Sequence, residues 1–168
     1  MKEKMKEKLD LQEKVLYINR CSKVVKGGRK FSFSALILVG DEDGHVGCGF
    51  GKANEISDAI KKGSDLARKN IFSFERYKNT IPHEISVECD GAQVLLKPAT
   101  DGTGVVAGSK VRLVLELAGI KDVVAKSQGS NNPLNQVHAT IFALKKLRNK
   151  KKALAERGIG KKWIFYLI

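Results

Sequence analysis

The sequence predicts an α+β protein of two small domains, and three observations carry that expectation. Phe31, Phe33, Ala35, Ile37 and Val39 occupy every second position, the period of a strand with one buried face. Ile56, Ile60, Gly63, Ala67, Ile71 and Phe74 then recur at three- and four-residue spacing, the period of an amphipathic helix. The polar run Glu75–Thr80 breaks both periods, and a second set of strand-like and helix-like segments follows it.

Taken in order, Leu9–Lys14 reads as a polar lead-in, and Val15–Ile18 begins the first strand. The second strand, about Phe31–Val39, returns after a Lys26-Gly27-Gly28-Arg29 turn, where paired glycines allow a sharp reversal. Gly40–Gly44 is an acidic turn, and a third strand follows at about His45–Lys52. Gly47, Gly49 and Gly51 leave one face of that strand bare, so a helix or an RNA backbone can lie against it. The helix from Ala53 onward begins near Asn54 or Ser57 and completes a three-stranded antiparallel sheet plus helix.

Beyond the junction, strands are expected near Ile85–Cys89 and Gln93–Lys97, joined by an Asp90-Gly91 turn. A turn-rich loop, 98–104, feeds a helix at about Ser109–Ala118, with Gly119 as its stop. Val123–Lys126 reads as a short strand, and Pro133 suits the first turn of a last helix, Leu134–Leu147. Residues 148–162 carry too many like charges to pack and are expected to be mobile without a partner. The division expected is a flexible basic segment 1–10, a first domain 11–74, a linker 75–79, a second domain 80–147 and a basic tail 148–168.

The net charge of +13 points to a polyanionic partner, and its placement is more telling than its size. Residues 1–30 carry ten Lys and Arg against four acids, and residues 145–162 carry nine against one. The intervening 114 residues hold twelve against thirteen. A near-neutral body with cationic ends fits a protein pinned into a phosphate-rich surface. The start of the chain lacks the apolar face of a membrane-binding helix and the apolar core of a signal peptide. Trp163–Ile168 is apolar but too short to span a bilayer, and docking on a neighbouring protein is its expected use.

Within this pattern Ser22–Phe33 stands out. Lys23, Lys26, Arg29 and Lys30 surround the glycine pair, so the hairpin presents a cationic finger suited to phosphate. One or two lysines there would be a solvated turn; four cations around a double glycine favour a nucleic-acid contact.

Other motifs fail on spacing or composition. Gly47–Lys52 (GCGFGK) lacks the loop length and following Ser or Thr of a nucleotide-binding loop. Asp101–Ser109 precedes a helix start and can grip a phosphate, or form a turn that touches a neighbour; the turn is favoured. Cys21, Cys48 and Cys89 have no paired spacing, which argues against disulfides or zinc and for a reducing compartment. His45 and Cys48 are three apart, but nothing in the sequence orients a base beside the thiol. No catalysis, cofactor, metal, membrane or small-molecule substrate is expected.

Four ordered segments carry a resemblance: SKVVKGGRKFSFSAL at 22–36, VGCGFGKA at 46–53, KPATDGTGVVAG at 97–108 and GSNNPLN at 129–135. They resemble the signatures of the bacterial-type small-subunit ribosomal protein five family, over about residues 11–147. The resemblance implies a double-stranded-RNA-binding-like first domain and a two-layer β-α second domain with a left-handed crossover. It implies binding of small-subunit ribosomal RNA between head and body, and contacts to small-subunit proteins four and eight. It also implies a share in translational accuracy and in lining the entrance for messenger RNA, in cytoplasmic or organellar ribosomes. By position, Ser22, Lys23, Lys26, Gly27, Gly28, Arg29 and Lys30 become the RNA-contact residues, with Arg20 and Lys52 beside them. Asp101, Gly102, Thr103, Gly104 and Arg112 fall where the family meets protein four. The segment 145–162 and the terminus Trp163–Ile168 match no quoted family pattern.

Overall fold

The computed structural model describes residues 10–158. The expectations for residues 1–9 and for Trp163–Ile168 therefore lie outside the described residues. The first domain holds β1 (Gln12–Val25), β2 (Gly28–Gly40), β3 (His45–Ala53), α1 (Ile56–Lys69) and β4 (Phe72–Ser73). Its sheet is antiparallel in the order β1-β2-β3-β4. The fourth strand corrects the three-stranded expectation: two residues, pairing His45 with Ser73 and Val46 with Phe72, are too few to show a period.

β1 and β2 are much longer than the sequence suggests, because the hairpin register continues outward to Val25 opposite Gly28. Only Lys26 and Gly27 stand at the tip, and Gly27 takes φ +97°, where a side chain would be strained. A bulge at Leu16 shifts the register between Val15 and Tyr17.

α1 covers one face of this sheet, packing Ala59 and Ala67 against Ala35, Ile37 and Val39. Of the two occupants compatible with the glycine face, the helix is the one present. A Cβ added at Gly49 would collide with the Gly63 carbonyl oxygen and the Ala67 backbone nitrogen. The helix start is Glu55, in extended conformation without a side-chain cap, rather than a capping Asn54 or Ser57. Glu13 on β1 ties the helix down, accepting hydrogen bonds from Ser64 Oγ at 2.7 Å and Arg68 Nε at 2.8 Å. The Ser64 hydroxyl, with the Arg68 guanidinium, holds the Glu13 carboxyl below its ordinary range against the opposing effect of burial.

The second domain comprises β5 (Ile85–Cys89), β6 (Ala92–Pro98), β7 (Val105–Val106), α2 (Ser109–Leu117), β8 (Val123–Gly129), α3 (Pro133–Lys145) and α4 (Lys150–Glu156). Its sheet runs β5-β6-β8-β7, with β7 and β8 parallel and joined through α2. β7 was hidden inside the glycine-rich run, again because two residues carry no period. Asp90 and Gly91 both have positive φ, as a two-residue hairpin turn requires. Asn132 caps α3 by accepting the Leu134 N–H at 3.1 Å, and Pro133 occupies the first turn.

Two further expectations are corrected. Ala35–Val39 is buried on both faces, not one, because Leu36, Leu38 and Val46 enter a single core with Leu115, Leu117, Val123 and Leu144. The unbroken run Ala35-Leu36-Ile37-Leu38-Val39 is the mark of a strand covered on both sides. The turn after β2 seals that contact: Glu42 N–H donates to the Leu117 carbonyl at 3.0 Å and Gly44 N–H to that of Ala118 at 3.2 Å. Within 148–162, where like charge argued against packed structure, α4 forms with Ala153 and Leu154 half-buried; residues 159–162 lie outside the described chain. Like-charged pairs along a helix cost only a few tenths of a kcal/mol each, too little to prevent it from forming.

Candidate nucleic-acid interface

From Lys14 through Gly40 the chain carries six Lys and Arg and no Asp or Glu. β1 and β2 fold that stretch into one hairpin, so the cations cannot be neutralised from within it. Strand alternation divides them between two faces. Lys23 and Lys30 sit directly opposite each other on one face. Arg20, Ser22, Phe31 and Arg29 share the other, and the Arg20 guanidinium lies 3.9 Å above the Phe31 ring. Lys26 and Gly27 form the tip, and Gly28 opens the return strand.

The side chains of Lys23, Lys26, Arg29 and Lys30 make no hydrogen bond or ion pair among the described residues. Other cations of the body do find partners: Arg68 meets Glu13, Arg76 meets Asp43 and Lys97 meets Glu84. Like charges placed directly across a strand pair oppose folding. A Lys23–Lys30 pair without an acid is therefore an arrangement that the fold itself does not need. Exposed apolar groups lie among the cations: Val24 is 74% and Phe31 47% exposed. Lys52 is brought close by register, lying opposite Ser34, which in turn lies opposite Asn19. The eight finger residues from Arg20 to Lys30 and Lys52 thus belong to one continuous sheet, with Lys52 on the face that carries Lys23 and Lys30.

Asp101, Gly102, Thr103, Gly104 and Arg112 gather at a separate place, beside β7. The Asp122 carboxylate, itself buried, accepts the N–H groups of Gly102 at 3.0 Å and Gly104 at 2.9 Å. That removes the phosphate reading of 101–109: two of its donors are spent on an internal anion, which also repels a second one. Arg112 Nη2 donates to the Val105 carbonyl at 2.7 Å, and its Nε lies 3.8 Å from Glu116. Glu116 also reaches Lys14 of the first domain at 3.8 Å. The loop is a turn held by its own domain, with Asp101, Gly102 and Thr103 exposed at its crest.

Nothing in the sequence orients His45; the structure supplies a partner, Asp41 Oδ2, 2.6 Å from Nδ1. Burial raises the Asp41 carboxyl, but the backbone N–H groups of Asp43 and His45, with the His45 ring, hold it below its ordinary value. His45 and Cys48 have opposite parity on β3 and so face opposite sides of the sheet. Burial also pushes the Cys48 thiol up, away from the nucleophilic thiolate. Among the described residues no three His, Cys, Asp or Glu side chains cluster as a metal site. No described helix is long and apolar enough to cross a membrane.

Tyr17, Asn19, Phe50 and Asn132, outside the residues that the sequence motifs assign to a site, line a cleft between the first sheet and the start of α3. A signal for Phe50 was present: the alternation that puts Gly47, Gly49 and Gly51 under α1 puts Phe50 and Lys52 on the opposite face.

Comparison with known proteins accords with this geometry. The family described as Ribosomal protein S5, N-terminal domain matches residues 11–75, and Ribosomal protein S5, C-terminal domain matches residues 87–157. The second match extends through α4, beyond the segment in which the quoted motifs fall. A relative in Protochlamydia amoebophila, named small ribosomal subunit protein uS5, is 64% identical over 158 residues, covering 94% of this chain and 95% of its own. Proteins of the same name in Chlamydia felis and Chlamydia pneumoniae are 63% and 64% identical, over 89% and 88% of this chain and 91% and 90% of theirs. With both domains matched in order and nearly the full length shared, this chain belongs to the ribosomal protein S5 family.

Proposed function

We propose that the protein is a structural, non-enzymatic component of the small ribosomal subunit in the bacterial cytoplasm, where the finger and the adjoining sheet hold ribosomal RNA. The observation that carries this reading is the cluster of finger cations whose side chains have no partner among the described residues, above all the Lys23–Lys30 pair. Phosphates neutralise such a cluster and release counterions, which supplies affinity, while the rigid hairpin fixes orientation. Arg20, Ser22, Lys23, Lys26, Gly27, Gly28, Arg29, Lys30 and Lys52 form this surface. On the same reading the RNA lies at the head–body junction, and the crest at Asp101–Gly104 with Arg112 meets small-subunit protein four. Protein eight is a second neighbour, and the placement gives the protein a share in accuracy and in the messenger-RNA entrance.

A free-standing duplex-RNA-binding module is disfavoured by the core. Cutting the first domain away would expose Leu36, Leu38 and Val46, now buried against α2 and the second domain. The test is co-sedimentation through a sucrose gradient after a moderately high-salt wash, which strips loosely held basic proteins. Stoichiometric retention with small subunits is expected; release into the light fractions refutes the proposal.

A further inference from the structure

We infer that the face of the first sheet turned toward the second domain binds a single RNA base extruded from its stack, an inference that rests on the RNA-binding reading above. Register orders the side chains of that face into cross-strand rows. Tyr17, Leu36 and Phe50 form one row, Asn19, Ser34 and Lys52 the next, Cys21 and Ser32 a third, and Lys23 with Lys30 the last. Asn132, Pro133 and Leu134 at the start of α3 provide a facing wall, enclosing a cleft of about 260 Å³. An aromatic floor thus passes through a polar row into the cations of the finger.

Three features of the cleft are unaccounted for by folding. Tyr17 and Phe50 are each 47% exposed although Leu36 between them is buried. Ser34 is only 5% exposed, yet its hydroxyl has a single partner among the described residues, the Cys21 thiol at 4.0 Å. A hydroxyl can donate once and accept twice, so most of its capacity is unspent. The Asn19 side-chain amide makes no hydrogen bond among the described residues, and the Asn132 side chain uses only its Oδ1, leaving its NH₂ group to donate. Flat apolar surface bordered by amide and hydroxyl groups fits an aromatic ring with a hydrogen-bonding edge.

Charge decides which ring. Lys52, Lys23 and Lys30 continue from the cleft toward the hairpin tip along the same face, with no ion pair among the described residues, so the occupant carries phosphate on the finger side of its ring. A base paired within a duplex hides both its faces and its edge. An unstacked nucleotide in a bulge or loop presents all of them, and such bases stack on aromatic side chains in RNA-binding sheets.

The test uses the full-length protein and an RNA hairpin of about 16 base pairs, with or without one bulged 2-aminopurine. Roughly tenfold tighter binding of the bulged RNA is expected, with quenching of the 2-aminopurine fluorescence as it stacks. The double substitution Tyr17→Leu/Phe50→Leu should abolish both the preference and the quenching while leaving affinity for the unbulged hairpin within about twofold. Asn19→Ala, at an exposed residue whose side chain has no partner among the described residues, should reduce the preference without moving Tm, so the proposal survives any instability of the double variant. Equal affinity of the native protein for the two RNAs, with no quenching, overturns the base pocket and leaves the cleft to a neighbouring protein. Failure to bind either RNA in about 50 mM salt overturns the RNA-binding reading beneath it as well.

Discussion

Replacing Lys26 and Arg29 together by alanine separates binding from folding. Both side chains are exposed at or beside the hairpin tip, and neither has a partner among the described residues. Surface changes of this kind alter stability by no more than about 0.5 kcal/mol, so the thermal transition should stay in place. Each phosphate contact contributes about 0.9 to the slope of log affinity against log salt, so losing two lowers that slope by about 1.8. Scaled from 1 M salt, where the electrostatic contribution is small, this predicts roughly thirtyfold weaker binding at 0.15 M. The assay is affinity of native and variant protein for a small-subunit RNA fragment across a salt series, with thermal unfolding measured in parallel. The two lines should converge toward high salt. Parallel lines would mean that these cations do not act through phosphate, and loss of the thermal transition would mean that the finger is needed for folding.

Three further outcomes follow from the packing. Gly49→Ala drives a methyl group into the Gly63 carbonyl and the Ala67 nitrogen, and should cost about 2 kcal/mol by overpacking. A chain of this size then loses roughly 4–8 °C in Tm, and an unchanged transition would contradict the close approach of α1 to β3. Asp122→Ala leaves the Gly102 and Gly104 N–H groups without their acceptor, which should speed their hydrogen exchange and leave finger amides unaffected. Unchanged exchange at both glycines would rule out Asp122 as the support of that loop. Because the Asp41 carboxyl is held below its ordinary value of 3.8, its contribution to stability is present above that pH and lost as pH falls through the folded-state value. Native protein should therefore lose stability more steeply than Asp41→Asn between about pH 5 and pH 2, and identical curves would refute the linkage.

Local pattern alone settled a good deal about this protein. Period two at Phe31–Val39 and the shift to helical period after Ala53 are properties of neighbouring residues, and each appears as an element. The finger was legible for the same reason, since four cations around two glycines are contiguous in the chain. Tertiary structure decided what depends on partners distant in sequence. Asp122 takes the amides of a loop 18 and 20 residues before it, turning an apparent phosphate cradle into a self-satisfied turn. α1, rather than RNA, occupies the bare glycine face, a choice that alternation could not make. β4 and β7 exist only because a longer strand lies beside each of them. The cleft joins Tyr17, Phe50 and Asn132 from three distant segments, and only the docking of the second domain on Leu36 and Leu38 brings its walls together. Periodicity records which side of an element is apolar; what covers that side is fixed by packing between segments far apart in the chain.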